Sequence, residues 1–293
     1  MPPRLTSALV RSLPRWTSVC TRHHSTTTPP PPPPPLSSSA SPISSSVSAS
    51  EVSHFSTLAS TWWDPTGPSA LLHAMNPLRH QFISRCRATT TTTSTPSSTQ
   101  TYLDIGCGGG IFAESAARLA STSHVTGLDP TPEVLAVAKA HLRQDPALSA
   151  EGKLEYRLGG VESLDAEVTA DVVSVFEVVE HVNRPADFLQ QCMRHVRPGG
   201  WLVGSTIART WTSWFTTKFV AEDVLRLVPR GTHDWDKYIL PEEMRAWAAK
   251  QAGWGDWRVM GVIYVPGIGW REVKGSEAWG NYFFALRRSE QDI

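Results

Sequence analysis

Thr101–Ala113 reads TYLDIGCGGGIFA. Tyr102, Leu103 and Ile105 are strand formers, and Gly106, Gly108, Gly109 and Gly110 follow them. From Ile111 to Leu119 the pattern is an apolar-periodic helix. A buried strand feeding a helix through a glycine turn aims backbone N–H groups and the helix N-terminus at one ligand. The glycines leave no side chain between that ligand and the backbone.

The spacing narrows the ligand. A dinucleotide fingerprint needs G-x-G-x-x-G, and counted from Gly106 its third glycine would fall on Ile111. The pattern is instead D-x-G-x-G-x-G, with Asp104 two residues before the first glycine. A carboxylate there repels a pyrophosphate. It suits a ligand with cationic parts, such as the ammonium and sulfonium of S-adenosylmethionine. About twenty residues on, VTGLD ends a second strand at Asp129, where a ribose-binding acid belongs.

The chain has 293 residues and a formal net charge of zero, which suits one large domain or two small ones and argues against a nucleic-acid partner. No apolar run approaches the roughly 18 residues of a membrane span. Cys20, Cys86, Cys107 and Cys192 lack paired or metal-type spacing and read as reduced thiols.

Residues 1–50 differ from the rest. Arg4, Arg11, Arg15 and Arg22 precede any acid, and Leu5, Leu9, Val10 and Leu13 share a helical face among Ser and Thr. That is the composition of a mitochondrial transit peptide. Pro29–Pro35 and a serine-rich stretch continue it as a spacer. Residues 51–293 are expected to form the folded domain.

Within it, Glu51–Leu58 reads as a short helix, and Trp62–Ile83 as a helix interrupted at Pro77 that lies over the sheet as a lid. Thr89–Thr99 reads as a low-complexity loop. Strands are expected at His124–Leu128, Leu154–Leu158, Asp171–Phe176, Trp201–Ser205, Trp257–Val265 and Tyr282–Arg287. Helices are expected at Pro132–Leu142, Ala186–Val196 and Pro241–Gln251, the second stopped by Arg197-Pro198-Gly199-Gly200. Such alternation predicts an α/β fold, a mostly parallel seven-stranded sheet with helices on both faces. Gly106, Asp129 and Phe176–His181 then share the carboxyl edge, where ligands bind.

Glu177, Glu180 and His181 have i, i+3, i+4 spacing, so a helical turn puts them on one face. Two carboxylates and an imidazole can ligate a metal, act as general bases, or form a solvated helix start.

The chain resembles the ubiquinone-biosynthesis O-methyltransferases, a family with the Rossmann-like class I methyltransferase fold. The resemblance rests on WWDPTGPSALLHAMNPLR (Trp62–Arg79), LDIGCGGGIFAESAARL (Leu103–Leu119), VTGLD (Val125–Asp129), EVVEHV (Glu177–Val182), RPGGWLVGSTIAR (Arg197–Arg209) and VPRGTHDWDKYILPEEM (Val228–Met244). It covers roughly Glu51 to Arg287. The resemblance implies that Arg79, Gly106, Asp129 and Phe176 contact S-adenosylmethionine, Phe176 through its backbone or by stacking. It implies a magnesium ion on Glu177, Glu180 and His181, with Glu180 or His181 taking a catechol proton. Glu162 is the candidate neighbour of the adenine.

The resemblance also implies a polyprenylated catechol substrate, a multi-subunit ubiquinone-biosynthesis complex, and a peripheral place on the matrix side of the mitochondrial inner membrane. Residues 209–228, with Trp211, Trp214, Phe215 and Phe219, read as a lid or a membrane-interface segment. Two rival readings are a methyltransferase for another small phenol or carboxylate, and a non-catalytic scaffold.

Overall fold

The computed structural model describes residues 46–88, 99–150, 152–209 and 238–290. Residues 1–45 of the expected 1–50 leader and spacer, most of the Thr89–Thr99 loop, nearly all of the 209–228 segment and the RGTHDW motif lie outside the described residues, whereas 46–50 belong to the fold.

The chain enters with α1 (Ala49–Leu58), a short 3₁₀ turn and α2 (Ala70–Ala88). Alternation then begins: β1 (Gln100–Ile105), α3 (Ile111–Ala117), β2 (Thr122–Asp129), α4 (Pro132–Leu142), α5 (Pro146–Ala150) and β3 (Leu154–Leu158). Next come β4 (Ala170–Phe176), α6 (Pro185–Arg194) and β5 (Val196–Ile207). After the gap, α7 (Pro241–Ala248), β6 (Trp254–Val265), β7 (Gly269–Glu272) and β8 (Asn281–Arg288) complete the order.

The strands form one sheet in the order β3-β2-β1-β4-β5-β8-β6-β7. β1 to β5 are parallel to their neighbours, while β5–β8, β8–β6 and β6–β7 pair antiparallel. The sheet thus has eight strands where seven were expected. The extra one is β7, four residues that fold back on the end of β6, Val265 opposite Gly269. Gly267 and Gly269, at φ 77° and 86°, make that tight return possible.

Burial follows the pleat. Tyr102 faces one layer with Phe82, Phe112 and Leu135, whereas Leu103 and Ile105 face the other with Phe188, Leu189, Met244 and Trp247. Helices α2, α3 and α4 therefore cover one face, and α6 and α7 the other. The central strands β4 and β5 are buried on both sides along most of their length, which is why their cores read as nearly continuous apolar runs.

Two local expectations are corrected. Helix α2 runs through Pro77 without a break. A proline in a helix interior costs about 3 kcal/mol. Burial of Met75 before it and Phe82, Ile83 and Cys86 after it holds the helix together. Arg197–Gly200 does not end a helix. It opens β5, and α6 has already stopped at Arg194.

Candidate active site

In the strand order the direction of progression reverses between β1 and β4, and ligands bind outside such a switch point. A cavity of about 670 Å³ lies there. Asp104, Gly106, Asp129 and Phe176 line it, as do Arg79, Glu177, Glu180 and His181. All the expected donor-site and wall residues except Glu162 thus reach one cavity.

The glycine turn forms its floor. Gly106, Gly108 and Gly110 have φ of 71°, 55° and 88°, conformations that side chains resist. A Cβ on Gly108 would sit 2.3 Å from the Trp62 ring, and one on Gly110 would sit 2.0 Å from the Tyr156 hydroxyl. Asp129 holds the turn from beneath. Its Oδ2 accepts from the Gly108 N–H at 2.9 Å and its Oδ1 from the Thr131 N–H at 2.8 Å. Burial nevertheless raises its pKa against these bonds.

Asp104 is fully enclosed. Its Oδ1 accepts from Ser174 Oγ at 2.6 Å. Burial pushes its pKa to about 7, with the Asp129 charge adding to the rise and Ser174 and Arg79 opposing it. Arg79 is 4 % exposed and lies 4.9 Å over the Phe176 ring. Burial lowers its pKa, and Glu177 and Asp104 partly restore it. Its Nη1 donates to Asn76 at 3.3 Å, but its Nε has no hydrogen-bond partner. A buried donor left without a partner costs about 1–3 kcal/mol, so this one is poised for an acceptor on a ligand. The Phe176 ring is fixed by Phe112 at 4.7 Å and Phe283 at 6.1 Å.

Glu177, Glu180 and His181 are brought to the cavity wall, but not by an α-helical turn. Val179–His181 is a 3₁₀ turn, and Glu177 stands before it at φ 56°. For a non-glycine residue this is costly, and such strain persists only where the surroundings enforce it. Here Ser205 Oγ donates to Glu177 Oε1 at 2.6 Å and Asn281 Nδ2 to Oε2 at 3.3 Å. Glu180 Oε2 accepts from Thr206 Oγ1 at 2.9 Å, and His181 Nδ1 bonds Glu51 Oε2 at 2.9 Å.

The three donors therefore face separate partners. Among the described residues no group of three His, Cys, Asp or Glu side chains is placed to hold a metal ion. The magnesium triad implied by the resemblance does not fit this arrangement. The reason is the tight 3₁₀ turn, which breaks the i, i+3, i+4 face that the spacing suggested.

Electrostatically the wall is still unusual. Burial and the neighbouring Glu177 charge raise the Glu180 pKa to about 7. For His181, burial opposes protonation, but the Glu51 bond and the charges on Glu180, Glu51 and Glu177 outweigh it and raise the pKa. Carboxyl groups moved into the neutral range inside a cleft mark acid–base sites.

Sequence reasoning missed the front wall. Ser46 and α1 close the cavity: the Ser46 N–H donates to Glu162 Oε1 at 2.8 Å, and the Ser46 carbonyl accepts from the Asn183 N–H at 3.3 Å. Glu162 is thus turned to the backbone of Ser46, and Gly159, Gly160 and Val161 line the cavity in its place. Trp62 packs on the glycine turn, and Trp63 Nε1 donates to the Gly109 carbonyl at 2.8 Å. The paired tryptophans were the one available signal. The described cysteines, Cys86, Cys107 and Cys192, are buried.

Comparison with known proteins adds the following. Residues 103–204 match the family model described as a methyltransferase domain. A mitochondrial ubiquinone biosynthesis O-methyltransferase of Candida albicans is 38 % identical, the match covering 83 % of this chain and 86 % of that protein. Its namesake in Schizosaccharomyces pombe is 45 % identical over 75 % of this chain and 77 % of the relative. Among solved structures, the plantazolicin methyltransferase BpumL in complex with SAH superposes with a TM-score of 0.54 at 16 % identity, covering 82 % of this chain and 97 % of that one. A SAM-dependent methyltransferase of Thermotoga maritima gives a TM-score of 0.52 at 16 % identity, over 80 % and 98 %. At such identities these structures show the shared fold.

Proposed function

Because the chain belongs to the ubiquinone biosynthesis O-methyltransferase family, we propose that it methylates an oxygen of a polyprenylated catechol, with S-adenosylmethionine as donor. The observation that carries this reading is the single cavity. One end offers a glycine turn, Asp129, Asp104 and Arg79, and the adjoining wall offers Glu177, Glu180 and His181.

The donor fits the first end. The cradle has no room for side chains, Asp129 is a buried acceptor for a ribose diol, and the Arg79 Nε lacks an acceptor. When bound, S-adenosylmethionine supplies a methyl group on a sulfonium, open to in-line attack by a phenolate oxygen. A simple phenol has a pKa of about 10, so a residue must take its proton. Glu180, near pKa 7 and on the cavity wall, is matched to that task at neutral pH. His181 is oriented by Glu51 to bind the second catechol oxygen. Holding the reacting groups together supplies much of the remaining acceleration, worth roughly 7–11 kcal/mol in well-oriented systems.

Two consequences concern the donor end. Asp129→Ala removes the support of Gly108 and Thr131 as well as a ribose acceptor. It is expected to weaken S-adenosylmethionine binding by roughly 1.5–3 kcal/mol, on the scale of hydrogen bonds to a charged group. Calorimetric titration of the folded variant measures this, and wild-type affinity would refute the role.

Asp104 makes binding pH-dependent. In the free protein it loses its proton near pH 7. A cationic ligand favours the carboxylate and lowers that pKa, so the complex holds fewer protons than the free protein. Affinity should therefore rise with pH up to about 7, by at most about tenfold per unit, and level off above it. Titrations near pH 6.5 in buffers of different ionisation enthalpy should show proton release, and Asp104→Asn should abolish it. Proton uptake, or none in the wild type, contradicts the assignment.

The names of the fungal relatives place them in mitochondria, and we read the arginine-bearing residues upstream of the cavity wall that begins at Ser46 as a leader that directs this chain there. Among the described residues no helix is long and apolar enough to cross a membrane. In our reading, the chain works on the matrix face of the inner membrane within a biosynthetic complex, and residues 209–228 serve as its lid or membrane contact.

The deciding experiment is transfer of labelled methyl from S-adenosylmethionine to a prenylated dihydroxybenzoate, with and without chelator. Turnover supports the reading, and its absence with every catechol overturns it. Loss in chelator with recovery on adding magnesium would return an ion to the Glu177–His181 wall through rearrangement of the contacts seen here.

A further inference from the structure

The cavity does not end at the carboxylates. Its wall continues along an apolar seam of Met75, Val262, Tyr264 and Trp270. Met75, Val262 and Trp270 belong to the same buried cluster as Phe176, and Tyr264 packs against it. Trp270 is locked in place. Its Nε1 donates to the Leu71 carbonyl at 2.9 Å, and its ring meets that of Tyr264 edge-on at 5.4 Å. A small polar catechol needs no such seam.

The mouth is apolar as well. Trp279 lines the cavity yet is 56 % exposed, and Ile268 on the β6–β7 return is 58 % exposed. Among the described residues five large hydrophobic side chains are exposed, and Ile268, Val273 and Trp279 are three of them. Single exposed apolar side chains are ordinary, but Trp279 also lines a cleft, and Ile268 follows the cavity-lining Pro266 by two residues. Trp279 also stands two residues before Asn281, whose amide bonds the Glu177 carboxylate. The exposed ring is thus tied by the chain to the wall where the chemistry takes place.

We propose that the β6–β7 return and Trp279 form the exit through which the isoprenoid tail of the substrate leaves the cavity. This rests on the function proposed above. The catechol head lies against Glu180 and His181, the first tail units follow the Tyr264–Trp270 seam, and Trp279 with Ile268 covers the units that emerge. An isoprene chain has no hydrogen-bonding group, so it is recognised by contact with apolar surface alone. The seam and mouth offer that surface. The β7 hairpin, absent from the seven-strand expectation, is then the element that lengthens the site.

The test compares a farnesylated dihydroxybenzoate with tail-less dihydroxybenzoate in the full-length protein. Trp279 and Ile268 are exposed, so Trp279→Ser and Ile268→Ser should fold. The double variant is expected to raise KM for the farnesylated substrate by roughly tenfold, the scale of a lost apolar contact. KM for the tail-less compound and the affinity for S-adenosylmethionine should stay as in the wild type. Trp279→Phe should restore most of the loss. Equal changes in KM for both substrates, or no change in either, overturn the proposal. So does unchanged discrimination accompanied by lost sedimentation with phospholipid vesicles, which would assign the patch to a lipid surface. Failure of the wild type to methylate any catechol would instead refute the function itself, and this exit with it.

Discussion

Glu180→Gln is expected to slow methyl transfer by roughly 10²- to 10⁴-fold, the range that a positioned general base contributes. The substitution keeps the shape and the contact with Thr206 but removes the proton acceptor. Folding should not suffer. Glu180 is held near pKa 7 by burial and by the charge on Glu177, so a neutral amide relieves both penalties. S-adenosylmethionine affinity should also be unchanged, because Asp129, Asp104 and the glycine turn are untouched. Single-turnover rates at saturating donor, with calorimetry and a melting curve, separate the three quantities. A rate within tenfold of wild type would remove Glu180 from the chemistry.

Gly110→Ala should be the most damaging single methyl group in the domain. Gly110 sits at φ 88°, and a Cβ there would lie 2.0 Å from the Tyr156 hydroxyl and 2.8 Å from its Cζ. Left-handed backbone strain and overpacking together predict a loss of roughly 2–5 kcal/mol. For a domain of this size that lowers Tm by about 4–20 °C. Tyr156→Phe supplies the control. Its buried hydroxyl has no hydrogen-bond partner, so removing it alone should be nearly neutral. Combined with Gly110→Ala it should recover the part of the loss due to the hydroxyl and leave the backbone part and the remaining contact with the ring. Wild-type melting of Gly110→Ala would show that the turn moves aside, and that its close packing against Tyr156 matters little.

The contrast between these two sites shows what was legible beforehand. The donor end is written in one short stretch. Asp104, the glycines and Asp129 are close in sequence, and each residue type has one physical reason to be there. The strand-end rule then brought Phe176–His181 to the same edge without any knowledge of side chains. The shared helical face of Glu177, Glu180 and His181 was misjudged because spacing alone cannot tell a 3₁₀ turn from an α-turn, and the left-handed Glu177 is imposed by Ser205 and Asn281 from other strands. Strand β7 escaped notice because four residues carry too little alternation to register. The front wall was hidden for a different reason. Ser46 and Glu51 find Glu162 and His181, partners 116 and 130 positions away, and no local pattern encodes such a pairing.

That same separation matters while the chain is being made. Phe55, Trp62 and Trp63 leave the ribosome early, but their environment includes His181, the glycine turn and His141. At roughly 5–20 residues per second, the 130 positions between Glu51 and His181 take roughly 6–26 seconds to translate. Until its end this aromatic cluster lacks part of its native environment, Phe55 being without His181. The nascent protein is therefore most prone to self-association before β4 emerges, and a holding chaperone would be most needed on the stretch that later seals the cavity.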